Sequence, residues 1–202
     1  MLRIGITGGI ASGKTVIAQI LRELGFHVID ADSLSHQLMD PGRPAFAEIV
    51  SEFGSGILSP AGRIDRTRLA ELVFADPTKL AKLNAILHPR VEAEIAQKFA
   101  DWQQDGVPDA AFVEAALLVE AGYQQRLDGL VVAWCMPEQQ LERLRARGMP
   151  EEDARRRIAA QMSVEEKLRY ATEKIDCSGT LEQTREQVKK LAARLRSPRQ
   201  RA

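Results

Sequence analysis

The stretch Gly8-Gly9-Ile10-Ala11-Ser12-Gly13-Lys14-Thr15 has the pattern Gly-x-x-x-x-Gly-Lys-Thr. In this pattern the glycines let successive backbone N–H groups curl around a phosphate group. The Lys14 ammonium reaches the β- and γ-phosphates of a nucleotide, and the Thr15 hydroxyl is placed to ligate Mg2+. The stretch therefore predicts a site for a nucleoside triphosphate. We assign nucleotide binding to Gly8, Gly9, Ile10, Ala11, Ser12, Gly13, Lys14, Thr15 and Val16.

The sequence on either side of this loop supports the assignment. A short apolar strand is expected over residues 2–7, and apolar residues then recur at helical spacing from Val16 to Leu24, until Gly25 ends the helix. The alternative is a glycine-rich turn before an ordinary helix. That alternative is disfavoured because four fixed identities occur in the required order between a strand and a helix.

Three further strands are expected after the first helix, over residues 27–30, 110–114 and 129–135. A fourth segment, residues 174–176, is too short to assign alone. Strands that alternate with helical segments are typical of an α/β fold with a parallel sheet covered by helices. Ligands of such sheets bind at the carboxyl ends of the strands, where the predicted phosphate-binding loop also lies.

Composition and charge narrow the class of protein. The 202 residues include 28 Lys and Arg and 28 Asp and Glu, so no net charge attracts nucleic acid or an anionic membrane. No signal segment precedes the first strand, and no apolar run has the length of a bilayer span. Cys135 and Cys177 form neither a metal-binding spacing nor a disulfide framework. We expect a soluble cytoplasmic protein without a nucleic-acid or membrane partner.

A long helical excursion is expected between about residues 40 and 89, where proline and glycine repeatedly break the chain. Asp76 and Pro77 are typical of an N-cap and a first-turn residue. The expected helices span residues 44–53, 67–74 and 78–87, and a separate helix starts at His88-Pro89 and runs from about 90 to 104. We interpret the excursion as an insertion that covers a substrate site. Later helices begin at Pro137, Pro150 and the capping box Thr180 to Gln183.

Asp30 and Asp32 close the second predicted strand at the edge where the phosphates are expected. In an extended segment, residues two apart share a face, so both carboxylates are expected to point into the cleft. A kinase needs one carboxylate to orient and deprotonate the acceptor hydroxyl. The alternative is that Asp32 is the N-cap of a following helix. Location alone leaves both interpretations open.

Other charged residues are candidates for the chemistry. Glu114 is placed to organise Mg2+ and its water, and Glu120 is a second acid nearby, although both also fit solvated strand ends. His88 is expected to be structural or to contact substrate, since no other ligand lies at metal spacing. Lid arginines contact a transferred phosphoryl group in kinases, but a solvated helix face explains most such residues equally. We expect one or two of Arg143, Arg145, Arg147, Arg155, Arg156 and Arg157 to be functional.

Several further motifs occur in order along the chain. They are Thr7 to Lys14, Asp30-Ala31-Asp32, Asp65-Arg66, Val73-Phe74, Leu83-Asn84, His88-Pro89, Leu117-Leu118-Val119-Glu120, Arg143, Gln161 and Ser178-Gly179. With these motifs the sequence resembles the dephospho-CoA kinase family over almost its full length. The loop alone is shared by many families, whereas its combination with Asp-Ala-Asp, His-Pro and Leu-Leu-x-Glu is specific.

This resemblance implies a phosphate-loop kinase with a three-layer α/β/α fold and a five-stranded parallel sheet. It implies a core of about residues 1–32, 90–139 and 172–202, a helical CoA-binding part of about 33–89, and a lid of about 140–171. The implied reaction moves the γ-phosphoryl of ATP, with Mg2+, to the ribose 3′-hydroxyl of dephospho-CoA. The implied catalytic residues are Lys14, Asp32 as base and Arg143 in the lid, and the implied substrate-binding residues are Asp32, His88, Leu117 and Glu120.

Three positions depart from the family pattern. Glu114-Ala115-Ala116 stands where Asp-Ile-Pro is usual, Thr172 where Asp is common, and Cys177 where Asn is frequent beside the adenine. The longer Glu114 side chain is compatible with acting on Mg2+ through a water, and backbone groups near Cys177 are compatible with adenine recognition.

Two alternative functions stay open at this point. One is another small-molecule or nucleotide kinase with the same core, and the other is an ATP-binding regulator without phosphoryl transfer. Any kinase requires Asp32 and Arg143 to converge on the γ-phosphate, whereas a regulator does not. A monomer is expected, with a weak homo-oligomer as the alternative.

Overall fold

Five parallel strands form the sheet of this protein, in the spatial order β2-β3-β1-β4-β5. The structure is a computed structural model and describes residues 1–106 and 109–196. The polar tail from Ser197, which we expect to fray, lies outside the described residues. The strands are β1 (Leu2–Gly8), β2 (His27–Asp30), β3 (Ala110–Glu114), β4 (Gly129–Trp134) and β5 (Glu173–Asp176).

Helices connect these strands and supply most of the remaining regular structure. They are α1 (Lys14–Glu23), α2 (Ala31–Leu38), α3 (Pro44–Phe53), α4 (Arg66–Phe74), α5 (Pro77–Gln104), α6 (Pro137–Ala146), α7 (Glu151–Ala159), α8 (Val164–Leu168) and α9 (Leu181–Arg196). The alternation of strands and helices confirms the predicted α/β class, and the short fifth strand completes the sheet.

β1 is the central strand of the sheet, and the phosphate-binding loop follows it directly. β1 pairs with β3 on one side and with β4 on the other, so that Ile6 lies opposite both Glu114 and Val131. α1 and α9 pack on one face of the sheet, where Ile17, Leu21 and Val188 join the same buried cluster as Ile6. A strand with two neighbours and a covered face has little freedom, so the loop after it starts from a fixed position.

Two predicted helix starts have the expected caps. The Asp76 carboxylate accepts a hydrogen bond from the Thr78 backbone N–H at 2.9 Å, one residue into α5. At α9, the Thr180 hydroxyl accepts from the Gln183 N–H at 3.2 Å, and the Gln183 side chain accepts from the Thr180 N–H at 2.8 Å. This reciprocal pair confirms the predicted capping box.

The predicted helix boundary at His88-Pro89 is wrong, because α5 is continuous from Pro77 to Gln104 with Pro89 inside it. Proline removes one backbone hydrogen bond and normally ends or kinks a helix. Here Leu87 and Val91, on either side of the proline, pack into one apolar cluster. The Arg90 side chain also donates to the Ile86 carbonyl at 2.5 Å. Tertiary packing therefore outweighs the local preference.

The described chain divides into two compact units. One comprises residues 1–30 and 102 onward, and the other, the helical unit, is Ala31–Asp101. The helical unit has its own buried cluster, drawn from α2 to α5 and including Ile49, Leu69 and Leu87. The boundary predicted near residue 90 falls inside α5. The assignments of a CoA-binding part and a lid remain predictions.

The helices give no indication of a membrane span. Within residues 1–106 and 109–196, none combines the length and the apolar character that crossing a bilayer requires.

Replacing Gly13 by alanine is expected to destabilise the protein by roughly 2–4 kcal/mol, combining positive-φ strain with overpacking. Gly13 has φ +112°, and an added Cβ would lie 2.7 Å from the Cys177 sulfur. Gly42→Ala is the matched control, because Gly42 has φ +87° with nothing within 4 Å of an added Cβ. Urea unfolding of both variants measures the difference. Equal losses would show that backbone strain alone sets the requirement for glycine.

Candidate active site

The phosphate-binding loop joins β1 to α1 and is held in a narrow space. Gly8 has φ +151°, and a Cβ added there would lie 2.2 Å from the Ala133 carbonyl oxygen of β4. Gly13 is the N-cap of α1 with φ +112°. Burial raises the pKa of the Cys177 thiol to about 11, so a neutral sulfur packs against Gly13. Both glycines of the motif are therefore required by the fold as well as by the ligand.

Lys14 places its charge across the loop. Its ammonium donates to the Gly9 carbonyl at 3.0 Å and to the Gly8 carbonyl at 3.3 Å. The ammonium therefore lies against the loop, close to the N-terminus of α1, whose dipole also favours an anion. Its role toward the phosphates stays a prediction.

The Ser12 hydroxyl is a buried polar atom with no hydrogen-bond partner among the described residues. Such a group inside a folded loop calls for an explanation, because an unmade buried hydrogen bond is costly. A hydroxyl at this position of the phosphate-binding loop fits a neighbouring phosphate group. The arrangement suits the predicted nucleotide.

Thr15 and Glu114 bring two oxygen groups together at the start of α1 and the end of β3. The Thr15 hydroxyl donates to the Glu114 carboxylate at 2.9 Å. Burial raises the pKa of Glu114, and the neighbouring Asp30 raises it further, while the bond from Thr15 opposes this. Mg2+ prefers oxygen ligands and often uses one or two protein groups with substrate phosphates. The hydroxyl oxygen of Thr15 and the carboxylate of Glu114 are therefore ligand types that suit Mg2+.

Two glutamine side chains also hold the loop, through the backbone of Ile10. The Gln140 side chain of α6 donates to the Ile10 carbonyl at 2.8 Å, and the Gln161 side chain accepts from the Ile10 N–H at 2.7 Å. The backbone of Ile10 is thus fixed by amide groups on both sides. Sequence reasoning missed Gln140, although it lies three residues before Arg143 on the same helix face.

Arg143 contacts two backbone carbonyls beside the loop. One guanidinium nitrogen donates to the Ala11 carbonyl at 3.1 Å and another to the Cys177 carbonyl at 2.6 Å. The Arg143 side chain therefore lies beside the loop, with both guanidinium contacts made to neutral oxygens. Its role toward the transferred group stays a prediction. Apolar contacts accompany it, since Leu144 of α6 and Ala154 of α7 share a buried cluster with Ala11.

Three of the other arginines predicted for the lid form ion pairs on the surfaces of α6 and α7. Arg145 and Arg155 both pair with Glu151, at 3.5 and 2.8 Å, and Arg156 pairs with Asp153. All of these side chains are substantially exposed. For these three the solvated-face interpretation fits, and Arg143 differs from them by contacting the loop.

Lys167 is a fully buried cation that sequence reasoning did not single out. Its ammonium lies 2.9 Å from the Glu120 carboxylate and donates to the Ala116 carbonyl at 2.7 Å. Glu120 also accepts from the Met162 N–H at 3.1 Å. These contacts tie α8 to the segment after β3. Leu117 in that segment is half exposed, and the next two residues are buried. A lysine in a polar helical stretch gives no sequence signal of such burial.

Asp32 is the second residue of α2, so the expectation of an extended segment there is wrong. β2 ends at Asp30 and α2 begins at the next residue, which leaves no room for Asp32 as the N-cap. An acid in a first turn is favourable beside the positive end of the helix dipole. Asp32 and His88 are both exposed and both belong to the helical unit. Their functional roles stay predictions.

Comparison with known proteins decides the family. A family profile described as "Dephospho-CoA kinase" matches residues 2–183. The chain belongs to the dephospho-CoA kinase family. A curated dephospho-CoA kinase of Symbiobacterium thermophilum is 47% identical over 186 residues, covering 92% of this chain and 77% of that protein. Another, of Aquifex aeolicus, is 45% identical over 191 residues, covering 95% and 96%.

Solved structures agree with the family. "Crystal structure of TT1252 from Thermus thermophilus" has a TM-score of 0.81 and 33% identity, covering 96% of this chain and 97% of that one. The dephospho-CoA kinase from Campylobacter jejuni gives 0.72 and 27%, covering 96% of each. A shikimate kinase from Bacteroides thetaiotaomicron gives 0.51 and 17%, covering 96% and 98%, which shows a shared fold alone. The phosphate-loop kinase fold predicted from the sequence is confirmed.

Glu114→Gln is expected to stabilise the ligand-free protein at neutral pH. Because the folded pKa of Glu114 is raised by burial, stability is lost as pH rises from the ordinary glutamate range through the folded pKa. The variant should escape this loss, so its advantage should grow with pH and then level off. Urea midpoints from pH 4 to pH 8 measure it.

Glu23→Gln is the control, and its effect on stability should have the opposite sign. In the wild type, the hydrogen bond from Arg185 lowers the pKa of Glu23, so Glu23→Gln should be less stable than wild type at neutral pH and equally stable in acid. An advantage of Glu114→Gln that does not vary with pH would contradict the desolvation argument.

Lys167→Met is expected to cost about 3 kcal/mol of unfolding free energy, because the buried ammonium loses its charged hydrogen bond to the Ala116 carbonyl and its ion pair with the partly exposed Glu120. Methionine keeps most of the stem volume. Lys189→Met is the control, since Lys189 forms an exposed pair with Glu186 at 2.7 Å and should change stability by less than about 1 kcal/mol. Similar losses in the two variants would show that the contacts of the buried Lys167 ammonium add no more stability than an exposed ion pair.

Proposed function

We propose that this chain transfers the γ-phosphoryl group of ATP to the ribose 3′-hydroxyl of dephospho-CoA, giving CoA and ADP in the last step of CoA synthesis. The observation that carries the proposal is the family match over residues 2–183, which includes the complete phosphate-binding loop. The sequence relatives named above are dephospho-CoA kinases at 45–47% identity.

On the donor side, the loop N–H groups and Lys14 bind the β- and γ-phosphates. The ammonium exchanges the Gly8 and Gly9 carbonyls for charged phosphate oxygens, with which it forms stronger hydrogen bonds. Thr15, with Glu114 acting through a water, would hold Mg2+. When bound, the ion neutralises charge on the phosphates. The Thr15–Glu114 contact of 2.9 Å supports this assignment.

Arg143 is the lid residue that we assign to the transferred group. Both of its terminal nitrogens lie beside the loop, since they contact the Ala11 and Cys177 carbonyl oxygens. A guanidinium that leaves neutral carbonyls for phosphoryl oxygens gains charge-assisted hydrogen bonds. The contact is expected to matter most as charge develops on the transferred group.

On the acceptor side, we assign Asp32 as the base that receives a hydrogen bond from the 3′-hydroxyl and takes its proton. His88 and Leu117 are proposed to contact the acceptor. Glu120 is bound to Lys167 and Met162, so we assign it to holding the segment that carries Leu117. The helical unit is proposed to bind the acceptor.

We also propose that the protein acts in the cytoplasm. Its two cysteines are free and buried, which is compatible with a reducing compartment.

Incubation with ATP, Mg2+ and a panel of acceptors tests the function. The panel contains dephospho-CoA, 4′-phosphopantetheine and nucleosides, and mass spectrometry with NMR identifies the product and the phosphorylated position. Only dephospho-CoA should gain phosphate, at the 3′-oxygen. Lys14→Ala is the negative control, since the loop loses its mobile cation. Phosphorylation of a nucleoside instead would assign a different kinase activity.

Asp32→Asn is expected to lower turnover by roughly a hundredfold or more, the scale of losing a positioned general base. ATP binding should be unchanged. Unfolding free energy should change by no more than about 1 kcal/mol, the worth of an acid near a helix N-terminus. Steady-state assays and a thermal melt on the same preparation separate the two roles. A variant that keeps most of its turnover would end the base assignment.

A further inference from the structure

A cavity of about 360 Å³ lies within the helical unit, apart from the residues assigned above. Its buried floor is apolar and is formed by Met39 and Ile64. Its rim consists of groups that donate hydrogen bonds, namely the exposed His36, Arg63 and Arg66 and the partly buried Ser59. An apolar floor with a few converging polar groups is the usual composition of a small-molecule site.

The backbone under this rim is fixed. Residues 59 to 63 form a tight turn in which the Ser59 N–H donates to the Arg63 carbonyl at 2.8 Å. Leu58 and Ile64 form an antiparallel bridge across the turn. Asp65 then caps α4 by accepting from the N–H groups of its second and third residues, at 3.1 and 3.2 Å. The turn therefore leads directly into a capped helix. The turn fixes the backbone position of Arg63, and the capped start of α4 fixes that of Arg66.

Of the two arginines that line the cavity, one is paired with an acidic side chain and the other is not. Asp40 is the acid in the lining, and it pairs with Arg63 at 2.7 Å through exposed side chains. An exposed pair of this kind is weak and exchanges readily. The Arg66 side chain has no hydrogen-bond or ion-pair partner within residues 1–106 and 109–196. The other four arginines of the helical unit, Arg43, Arg63, Arg68 and Arg90, each form an ion pair.

We infer that this cavity binds a diphosphate group, with Arg66 as its principal ligand and Arg63 and His36 as further donors. The inference rests on the proposed function, in which the acceptor carries a diphosphate next to an uncharged chain. Planar guanidinium forks match phosphate oxygens, and a dianion competes well with a single carboxylate for Arg63. The apolar floor of Met39 and Ile64 suits the uncharged chain. The cavity thereby selects acceptors with a diphosphate over nucleosides.

Calorimetric titration of wild type, Arg66→Gln and Arg68→Gln tests this inference. Arg68→Gln is the matched control, because it removes the same charge from the same helix at a side chain that pairs with Asp65 and does not line the cavity. Each protein is titrated with dephospho-CoA and, separately, with inorganic pyrophosphate, both with saturating ADP on the phosphate-binding loop. Steady-state KM values for dephospho-CoA and ATP, and thermal melts, complete the set.

Arg66→Gln should weaken both ligands by about tenfold or more, as expected for a lost charged hydrogen bond. Its KM for dephospho-CoA should rise by the same factor, while its KM for ATP stays within twofold of wild type. Arg68→Gln should stay within twofold throughout. Equal effects of the two variants, or unchanged binding in Arg66→Gln, would overturn the inference.

Failure of the proposed function gives a different result. If wild type binds pyrophosphate through Arg66 but does not phosphorylate dephospho-CoA, the kinase assignment and the identity of the diphosphate are both overturned. If dephospho-CoA is phosphorylated and its KM does not respond to Arg66→Gln, the activity stands and the cavity is excluded from acceptor binding.

Discussion

The close approach of two backbones at Gly8 determines where everything else in the site can lie. β1 is the central strand, and its last residue reaches the carboxyl end of β4 so closely that no side chain fits between them. The loop must therefore turn at once, and α1 begins six residues later. Because neighbouring strands and packed helices fix β1, the positions of Lys14 and Thr15 follow from the sheet itself.

At Glu114 the requirements of the candidate site conflict with those of stability. The carboxylate is buried at the end of β3, where it is costly when charged, and Thr15 offers it one hydrogen bond. A structure selected for stability alone would have a neutral side chain here. A bound divalent cation changes the balance, because an ion that needs oxygen ligands is compatible with a desolvated carboxylate. The residue is better suited to the loaded protein than to the empty one.

The sequence was sufficient for the parts of the structure governed by local rules. The phosphate-binding loop, most of the strands, the Asp76 cap and the Thr180 capping box depend on residues close together in the chain. Where distant packing decides, sequence reasoning was incomplete or wrong. Pro89 is tolerated because Leu87 and Val91 share one cluster, and the burial of Lys167 depends on Glu120 far along the chain. Asp32 was misplaced because a helix follows β2 without a connecting turn.

The contacts that join α6 and the Gln161 segment to the loop consist mainly of neutral groups. Gln140 and Gln161 bind the Ile10 backbone through their side-chain amides, and Leu144 and Ala154 add apolar contact, whereas the Arg155–Glu151 and Arg156–Asp153 pairs lie within α7. Dissolved ions screen exposed charges but scarcely affect amide hydrogen bonds or apolar contact. The contacts of α6, α7 and Gln161 with the loop are therefore expected to hold nearly as well at high as at low ionic strength, so changes in cellular ionic strength should act on substrate encounter and leave these contacts intact.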